Sequence, residues 1–184
     1  HDLFKSMGAL GLLGLEYAPD DGGQGADHTF TVILGEELGR VDTLGVAMAV
    51  GVQSDMATPS LARFGSPELK ARYLGPALRG EMVASIAVTE PDAGSDVAAI
   101  RTRAVRDGNE YVITGSKLYI TNGTQADWLC LLARTSDETG YQGMSQILLP
   151  TGGTGYHVSR KLDKLGMRAS DTAELVFDEV RIPA

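Results

Sequence analysis

The spacing of apolar positions changes once along the chain, near Met82. Before that residue apolar side chains recur with the period of a helix, as on the face formed by Phe30, Ile33, Leu34 and Leu38. Asp27 can cap a helix that runs from about His28 to Leu38. After Met82 the apolar residues occur in short runs that end at turn residues, which indicates strands. The chain is therefore predicted to be helical in residues 1–81 and to form a β-domain in residues 82–184.

Three further helices are predicted in the first part of the chain. The segment Asp2–Leu15 begins with helical spacing, and glycines loosen its end. Residues Leu44–Ala62 are rich in Ala, Val, Met and Leu, which predicts a buried helix interrupted near Pro59. Ser66-Pro67-Glu68 places a capping hydroxyl, a proline and an acid in the first turn of another helix. That helix is expected to end at Gly75-Pro76.

The second part of the chain reads as a series of strands. Asp107-Gly108-Asn109 is expected to turn one strand back into the next, and Gly115-Ser116 is expected to break the chain between two others. Strands at this density predict an antiparallel β-sandwich or barrel-like domain, so the fold class is α+β. The predicted strands are Met82–Thr89, Ile100–Val105, Tyr111–Thr114, Lys117–Thr121, Trp128–Ala133, Ser145–Leu149 and Glu174–Phe177.

Composition and charge exclude several classes of function. The 16 Lys and Arg residues against 24 Asp and Glu residues give a net charge of −8, which argues against binding to nucleic acid. No run of about 18 apolar residues predicts a membrane span, and no secretory signal is expected. Cys130 is the only cysteine, so no internal disulfide can form and a reducing compartment, the cytoplasm or the mitochondrial matrix, is expected. The three histidines are far apart, so no metal site is predicted.

Two polar segments are the candidate binding elements. Ala87–Asp96 and Tyr119–Gly123 each contain the end of a predicted strand and carry hydroxyl groups. A flavin ring needs a flat apolar slot with hydrogen-bond donors along its polar edge, and two such strand ends can supply them. On composition alone, ordinary turns remain the simpler interpretation, because Pro, Asp, Gly and Ser favour turns in any protein.

These segments and several others resemble the acyl-CoA dehydrogenase family over essentially the whole chain. Thr89–Asp96 is similar almost letter for letter to the first signature of that family, and Asn109–Gly123 resembles the next block. Lys164–Leu175 and Phe177–Pro183 resemble the end of the central β-domain. The N-terminal Met7–Gly14 also fits the family pattern.

The resemblance implies which residues contact FAD. The expected contacts are Ile86, Ala87, Val88, Thr89, Gly94, Ser95, Tyr119, Ile120 and Thr121. By the same resemblance Thr89 would hydrogen-bond the isoalloxazine edge, and the Thr121 hydroxyl would lie near flavin N5. Ser95 would lie where the flavin meets the pantetheine arm of the substrate. Tyr119 stands where the family often has Trp or Phe, and Asp92 where many members have Gly.

The resemblance also implies an activity and partners. The activity is FAD-dependent α,β-dehydrogenation of an acyl-CoA, with electrons passing to electron-transfer flavoprotein and with a dimer or tetramer as the assembly. The catalytic glutamate of the family lies in a C-terminal helical domain that would follow Ala184, so no catalytic base is assigned here. Relatives that act as acyl-CoA oxidase, flavin monooxygenase or carrier-protein-thioester dehydrogenase remain alternatives, as does a non-catalytic flavin-fold binding module.

Other conspicuous residues are given ordinary structural interpretations. Gly22-Gly23-x-Gly25 and Gly152-Gly153-x-Gly155 lack the strand–turn–helix frame of a dinucleotide-binding motif. Cys130 lies within an apolar strand, so it is expected to be a small core residue rather than a nucleophile. His28 lies near a helix start and is expected to be exposed.

Overall fold

A computed structural model describes residues 1–184, and its first part is helical. Asp27 caps the helix His28–Gly39 as predicted, because its carboxylate accepts a hydrogen bond from the backbone N–H of Thr29. Ser66 caps the helix that begins at Pro67 in the same way, because its hydroxyl accepts a hydrogen bond from the backbone N–H of Leu69. The helices are α1 (Asp2–Ala9), α2 (His28–Gly39), α3 (Leu44–Gly51), α4 (Thr58–Phe64), α5 (Pro67–Leu69) and α6 (Gly75–Leu78).

Two prolines lie inside helices because a π-helical turn precedes each of them. The interruption predicted near Pro59 is the π-helical turn Val52–Ala57, which joins α3 to α4 without a break. The predicted helix end at Gly75-Pro76 is wrong, since the chain runs through the π-helical turn Lys70–Leu74 and Pro76 into α6. A π turn is wider than an α turn, so the proline ring avoids the carbonyl one turn earlier.

The second part of the chain forms one seven-stranded sheet that curls into a half-barrel, which confirms the α+β class. Four strand pairs are antiparallel, but β1 (Ala84–Ala87) and β2 (Arg103–Asp107) both pair in parallel with β4 (Trp128–Arg134), so the sheet is mixed rather than wholly antiparallel. The order is β1-β4-β2-β3-β7-β6, with β5 on β4. The strands are β1 (Ala84–Ala87), β2 (Arg103–Asp107), β3 (Glu110–Thr121), β4 (Trp128–Arg134), β5 (Met144–Pro150), β6 (Tyr156–Lys161) and β7 (Thr172–Pro183).

The expected chain break at Gly115-Ser116 is wrong, because β3 is continuous from Glu110 to Thr121. The glycine instead marks an irregularity in the pairing with β7, between Ile113 and Gly115. Its φ of +149° brings the backbone close to Thr102, and an added Cβ would lie 2.6 Å from the Thr102 hydroxyl oxygen. A glycine within a strand pattern can therefore mark a bulge and a close approach rather than a strand end.

The helices pack against the β1 and β4 side of the sheet. Trp128 and Cys130 of β4 lie in one apolar cluster with Leu74 and Tyr73 from the helical part. Gln53, itself buried, accepts a hydrogen bond from the Ala84 N–H at 3.0 Å and donates to the carbonyl of Ala77. The helical part and the sheet are thereby joined by both apolar and polar contacts.

The predicted apolar face of α2 is only partly covered. Leu34 and Leu38 pack against a cluster that contains Phe4 and Met7. Phe30 and Ile33, from the same face, are 53% and 49% exposed. Helical spacing located this helix, but its full apolar face is not buried within the chain.

None of the helices combines the length and the apolar character needed to cross a bilayer.

Candidate functional site

The two candidate segments lie next to each other in the structure. Leu118 of β3 donates a backbone hydrogen bond to the carbonyl of Thr89, at 2.8 Å. The Ser85 hydroxyl of β1 donates to the carbonyl of Thr121, at 2.5 Å. The end of β1, the loop that follows it and the end of β3 therefore form one site from segments that are distant in the sequence.

The expected flavin contacts differ in exposure. Ala87 and Ile120 are 0% and 2% exposed and belong to the core of the sheet, so their side chains face other core residues. The side chains of these two residues are therefore not available to a ligand. The half-buried residues are Ile86, Val88, Thr89 and Thr121, and the exposed ones are Gly94, Ser95 and Tyr119.

The site carries hydrogen-bonding groups that have no partner within the chain. The hydroxyls of Thr89, Ser95 and Thr121 make no intramolecular hydrogen bond, and neither does the backbone N–H of Thr89. Donors at a half-buried strand end need a partner from outside the chain, which water or a ligand can supply. Several unpaired donors beside half-buried apolar residues fit the edge of a planar, acceptor-rich ring such as a flavin.

Tyr119 has an unusual backbone conformation at the end of β3. Its φ is +61°, and the pairing with β7 shifts register between Lys117 and Ile120. A positive φ is a genuine outlier for a bulky residue, and bulges re-aim side chains beside functional sites. Tyr119 is 65% exposed, so a residue with a strained backbone conformation lies on the outside of the sheet.

A buried ion pair between Lys117 and Glu90 joins β3 to the loop that follows β1. Lys117 is fully buried, and its Nζ lies 2.9 Å from Glu90 Oε1 and 2.8 Å from the carbonyl oxygen of Val88. Burial lowers the pKa of Lys117, and the hydrogen bond to Glu90 acts in the opposite direction. The net pKa of Lys117 lies below its ordinary value.

The Glu90 carboxylate accepts hydrogen bonds through both of its oxygens. It also accepts the backbone N–H groups of Arg101 at 2.6 Å and Thr102 at 3.0 Å. Burial raises the pKa of Glu90, but the hydrogen bonds from Thr102, Arg101 and Lys117 outweigh that effect, so the pKa lies below 4.5. The pair holds the loop after β1 against β3 and β2.

Asp171 fixes the loop that follows β3. Its Oδ2 accepts the backbone N–H and the hydroxyl of Thr124, both at 2.7 Å, and its Oδ1 accepts the Gln125 side chain at 2.6 Å. Its carbonyl accepts the backbone N–H of Asn122. This carboxylate therefore positions the chain immediately after Thr121.

Sequence reasoning missed the supporting residues. Glu90, Lys117 and Asp171 all lie within the motifs that carry the family resemblance, but nothing in their spacing shows which residues they contact. A fully buried lysine is rare, so residue type alone predicts that Lys117 is exposed.

A groove of about 910 Å³ lies elsewhere in the molecule and includes none of the expected flavin contacts. Tyr17, Ser54 and Phe64 contribute to its walls, and the carboxylates of Glu16, Asp21 and Asp55 line it. His28 is exposed as expected and pairs with Glu16 at 2.6 Å.

Cys130 is a core residue, and the residue types that bind metal ions are not clustered. Cys130 is buried, as expected, and burial raises the pKa of its thiol. Its Sγ lies 3.5 Å from the Ser60 hydroxyl. No three His, Cys, Asp or Glu side chains are grouped so that they could hold a metal ion.

Comparison with known proteins identifies the family. Residues 1–81 match the acyl-CoA dehydrogenase N-terminal domain, and residues 85–180 match the acyl-CoA dehydrogenase middle domain. The mitochondrial isovaleryl-CoA dehydrogenase of Pongo abelii is 36% identical over 185 residues, which cover 100% of this chain and 44% of that protein.

Solved structures agree. A "probable acyl CoA dehydrogenase" of Mycobacterium abscessus superposes with a TM-score of 0.94 at 43% identity, covering 100% of this chain and 48% of that one. A glutaryl-CoA dehydrogenase of Mycobacterium smegmatis, solved in complex with FADH2, superposes with a TM-score of 0.91 at 37% identity, covering 100% and 46%. The chain spans less than half the length of these relatives. It belongs to the acyl-CoA dehydrogenase family.

Proposed function

We propose that this chain supplies the flavin-contacting part of an FAD-dependent acyl-CoA dehydrogenase. The observation that carries the proposal is the convergence of the β1 and β3 ends, where the hydroxyls of Thr89 and Thr121 have no partner within the chain. A relative of known structure was solved in complex with FADH2, and all of this chain superposes on 46% of that protein. The residue types at the site fit the polar edge and the flat face of a flavin.

The chain would hold FAD through three kinds of contact. Thr89 and Thr121 would donate hydrogen bonds to the polar edge of the ring. The half-buried Ile86 and Val88 would exclude water from one side of it, and the exposed Tyr119 ring would cover a face by stacking. When bound, FAD would accept a hydride from the β-carbon of an acyl-CoA thioester.

Ser95 would bind the substrate. It is exposed on the loop between the Glu90 turn and Val97–Ala99, and its hydroxyl has no partner within the chain. A hydroxyl at the edge of the flavin site can hydrogen-bond a polar group of the pantetheine arm. That contact would align the acyl chain along the flavin without itself taking part in bond breaking.

The proton acceptor for the α-carbon is proposed to lie outside these 184 residues. Glu90, the carboxylate within the first motif, forms an ion pair with Lys117 and accepts hydrogen bonds from two backbone N–H groups. A carboxylate with a lowered pKa and a full set of hydrogen bonds is a poor general base. Electron-transfer flavoprotein as the acceptor and a homo-oligomer as the assembly belong to the same proposal.

The test is an anaerobic titration of the flavin-loaded complete polypeptide with acyl-CoAs of graded length and branching, followed by flavin absorbance. Bleaching by a subset of acyl-CoAs supports dehydrogenation and gives the chain-length preference. Rapid re-oxidation when air is admitted identifies an oxidase instead. If no acyl-CoA bleaches the flavin, the dehydrogenase proposal is wrong.

A further inference from the structure

Lys117 makes a contact that a purely structural ion pair does not need. Its Nζ donates to the carbonyl of Val88 at 2.8 Å as well as to Glu90. No backbone N–H donates to the Val88 carbonyl, so Lys117 is its partner within the chain. The ammonium group therefore fixes the direction of one peptide carbonyl at the end of β1.

That direction determines where the next N–H group points. In a trans peptide the carbonyl of Val88 and the N–H of Thr89 face opposite ways. With the carbonyl turned inward to Lys117, the Thr89 N–H is turned away from the ion pair, and it has no acceptor within the chain. The Thr89 hydroxyl, on the same residue, is also unpaired.

Glu90 offsets the free-energy cost of burying the Lys117 ammonium group. An isolated ammonium in an apolar interior is costly, and a counter-charge with good hydrogen-bond geometry offsets that cost. Leu175, the partner of Lys117 across β3 and β7, is fully buried and apolar. A methionine at position 117 would fill similar space, so the polar end of the side chain requires a separate explanation.

We propose that Lys117 is a positioning residue for the flavin: it holds the Val88–Thr89 peptide so that the Thr89 N–H points at the ring edge. The inference rests on the proposed flavin site and adds a residue that does not itself touch the ring. A hydrogen bond to the polar edge favours the reduced flavin, on which negative charge increases. Lys117 would thus influence both the affinity for FAD and the flavin potential.

The test compares Lys117→Met with Lys70→Met in the complete polypeptide. Lys70 forms an ion pair with Asp21 at 3.1 Å in the helical part, away from the strand ends, so it is a matched control. The dissociation constant of FAD and the midpoint potential of the bound flavin are measured for each. Lys117→Met is expected to weaken FAD binding about tenfold, equivalent to about 1.4 kcal/mol, and to shift the potential to a more negative value. Lys70→Met is expected to leave both unchanged.

A second pair of variants covers the case in which Lys117→Met does not fold. Lys117→Met/Glu90→Gln removes both charges, which is less disruptive than leaving one buried charge unpaired. It is expected to show the same loss of FAD affinity and the same shift in potential. Glu90→Gln alone keeps the donor to Val88, so its loss of FAD affinity is expected to be smaller than that of the double variant.

The outcomes separate this inference from the proposed function. If the unaltered protein binds FAD and the double variant binds it with the same affinity and potential, Lys117 is only structural and the inference is overturned alone. An equal loss in Lys70→Met would overturn it as well. If the unaltered protein does not bind FAD, the proposed function fails and the inference fails with it.

Discussion

The buried side-chain amide of Asn122 donates a hydrogen bond to the carbonyl of Ala49, at 2.9 Å. Asn122 directly follows β3, and Ala49 lies in α3, so this contact joins the end of the proposed flavin strand to the helical part. The same amide reaches the carbonyl of Ala84 in β1, at 3.4 Å. Asn122 also has a φ of +63°, a left-handed conformation that Asn tolerates better than most residues.

Two substitutions at Asn122 separate these effects. Asn122→Gly keeps the left-handed backbone and loses the hydrogen bonds, so it is expected to lower the free energy of unfolding by about 1–3 kcal/mol. Asn122→Ala adds the cost of a left-handed backbone, about a further 1–2 kcal/mol. Urea unfolding of both variants checks the order. An alanine variant as stable as the glycine variant would show that the backbone conformation is not strained.

The close approach of β3 to Thr102 predicts that replacing Gly115 with a larger residue lowers the stability of the fold. Gly115→Ala would place a Cβ 2.7 Å from the Thr102 Cα, so the backbone must shift. The expected loss of stability is about 2–4 kcal/mol. Gly108→Ala is the control, because Gly108 has a φ of +63° with open space around it and should lose only about 1–2 kcal/mol. Thermal unfolding that gives equal losses would contradict the packing explanation.

The exposed ring of Tyr119 is expected to stack on the flavin. Tyr119→Phe keeps the aromatic ring and removes only the phenolic hydroxyl, which has no hydrogen-bond partner within the chain. The affinity for FAD should therefore stay the same. Tyr119→Ala should weaken FAD binding by about 1 kcal/mol, roughly fivefold. Fluorescence titration with FAD measures both variants. Equal affinities for the phenylalanine and alanine variants would exclude stacking by this residue.

Glu90 is expected to contribute to acid sensitivity. Burial raises its pKa, but hydrogen bonds lower it below 4.5 overall. The unfolded state then binds this proton more readily, so the stabilisation is fully present above about pH 4.5 and is lost as the pH falls through the folded pKa.

The measurement is the free energy of unfolding against pH for the unaltered protein and Glu90→Gln. The difference between them should be largest near neutral pH and should narrow below about pH 4.5. Glu81→Gln is the control: the pKa of Glu81 is also lowered by its hydrogen bond to Arg79, but this pair lies on the surface with about half of each side chain exposed, so solvent screening should leave only a small pH-dependent difference. A constant difference across the acid range would show that ionised Glu90 contributes nothing.

Local signals in the sequence predicted local structure well. The caps Asp27 and Ser66 were predicted because each contacts an N–H group only two or three residues further along. The helix through Pro76 was missed because a π-helical turn is not visible in the spacing of apolar residues. The parallel pairing of β1 with β4 is also not visible in the spacing of apolar residues, because strand direction depends on the path of the intervening chain.

The site was predicted as two segments but not as a supported structure. The family motifs located Thr89 and Thr121, and the structure places their segments side by side. The assignment of each residue to FAD or substrate stays a prediction, as does the domain boundary between residues 81 and 82. The supporting contacts of Lys117, Asn122 and Asp171 are long-range, so they depend on the folded chain and leave no periodic pattern in the sequence.

The central claim is that the ends of β1 and β3 hold the flavin. The most direct test is a crystal structure of the FAD-loaded complete polypeptide. We expect the isoalloxazine ring to lie against both strand ends, with the Thr89 N–H and the Thr121 hydroxyl about 3 Å from its polar atoms. A ring located in the groove beside Tyr17 and Asp55, with both threonines still facing water, would contradict the account.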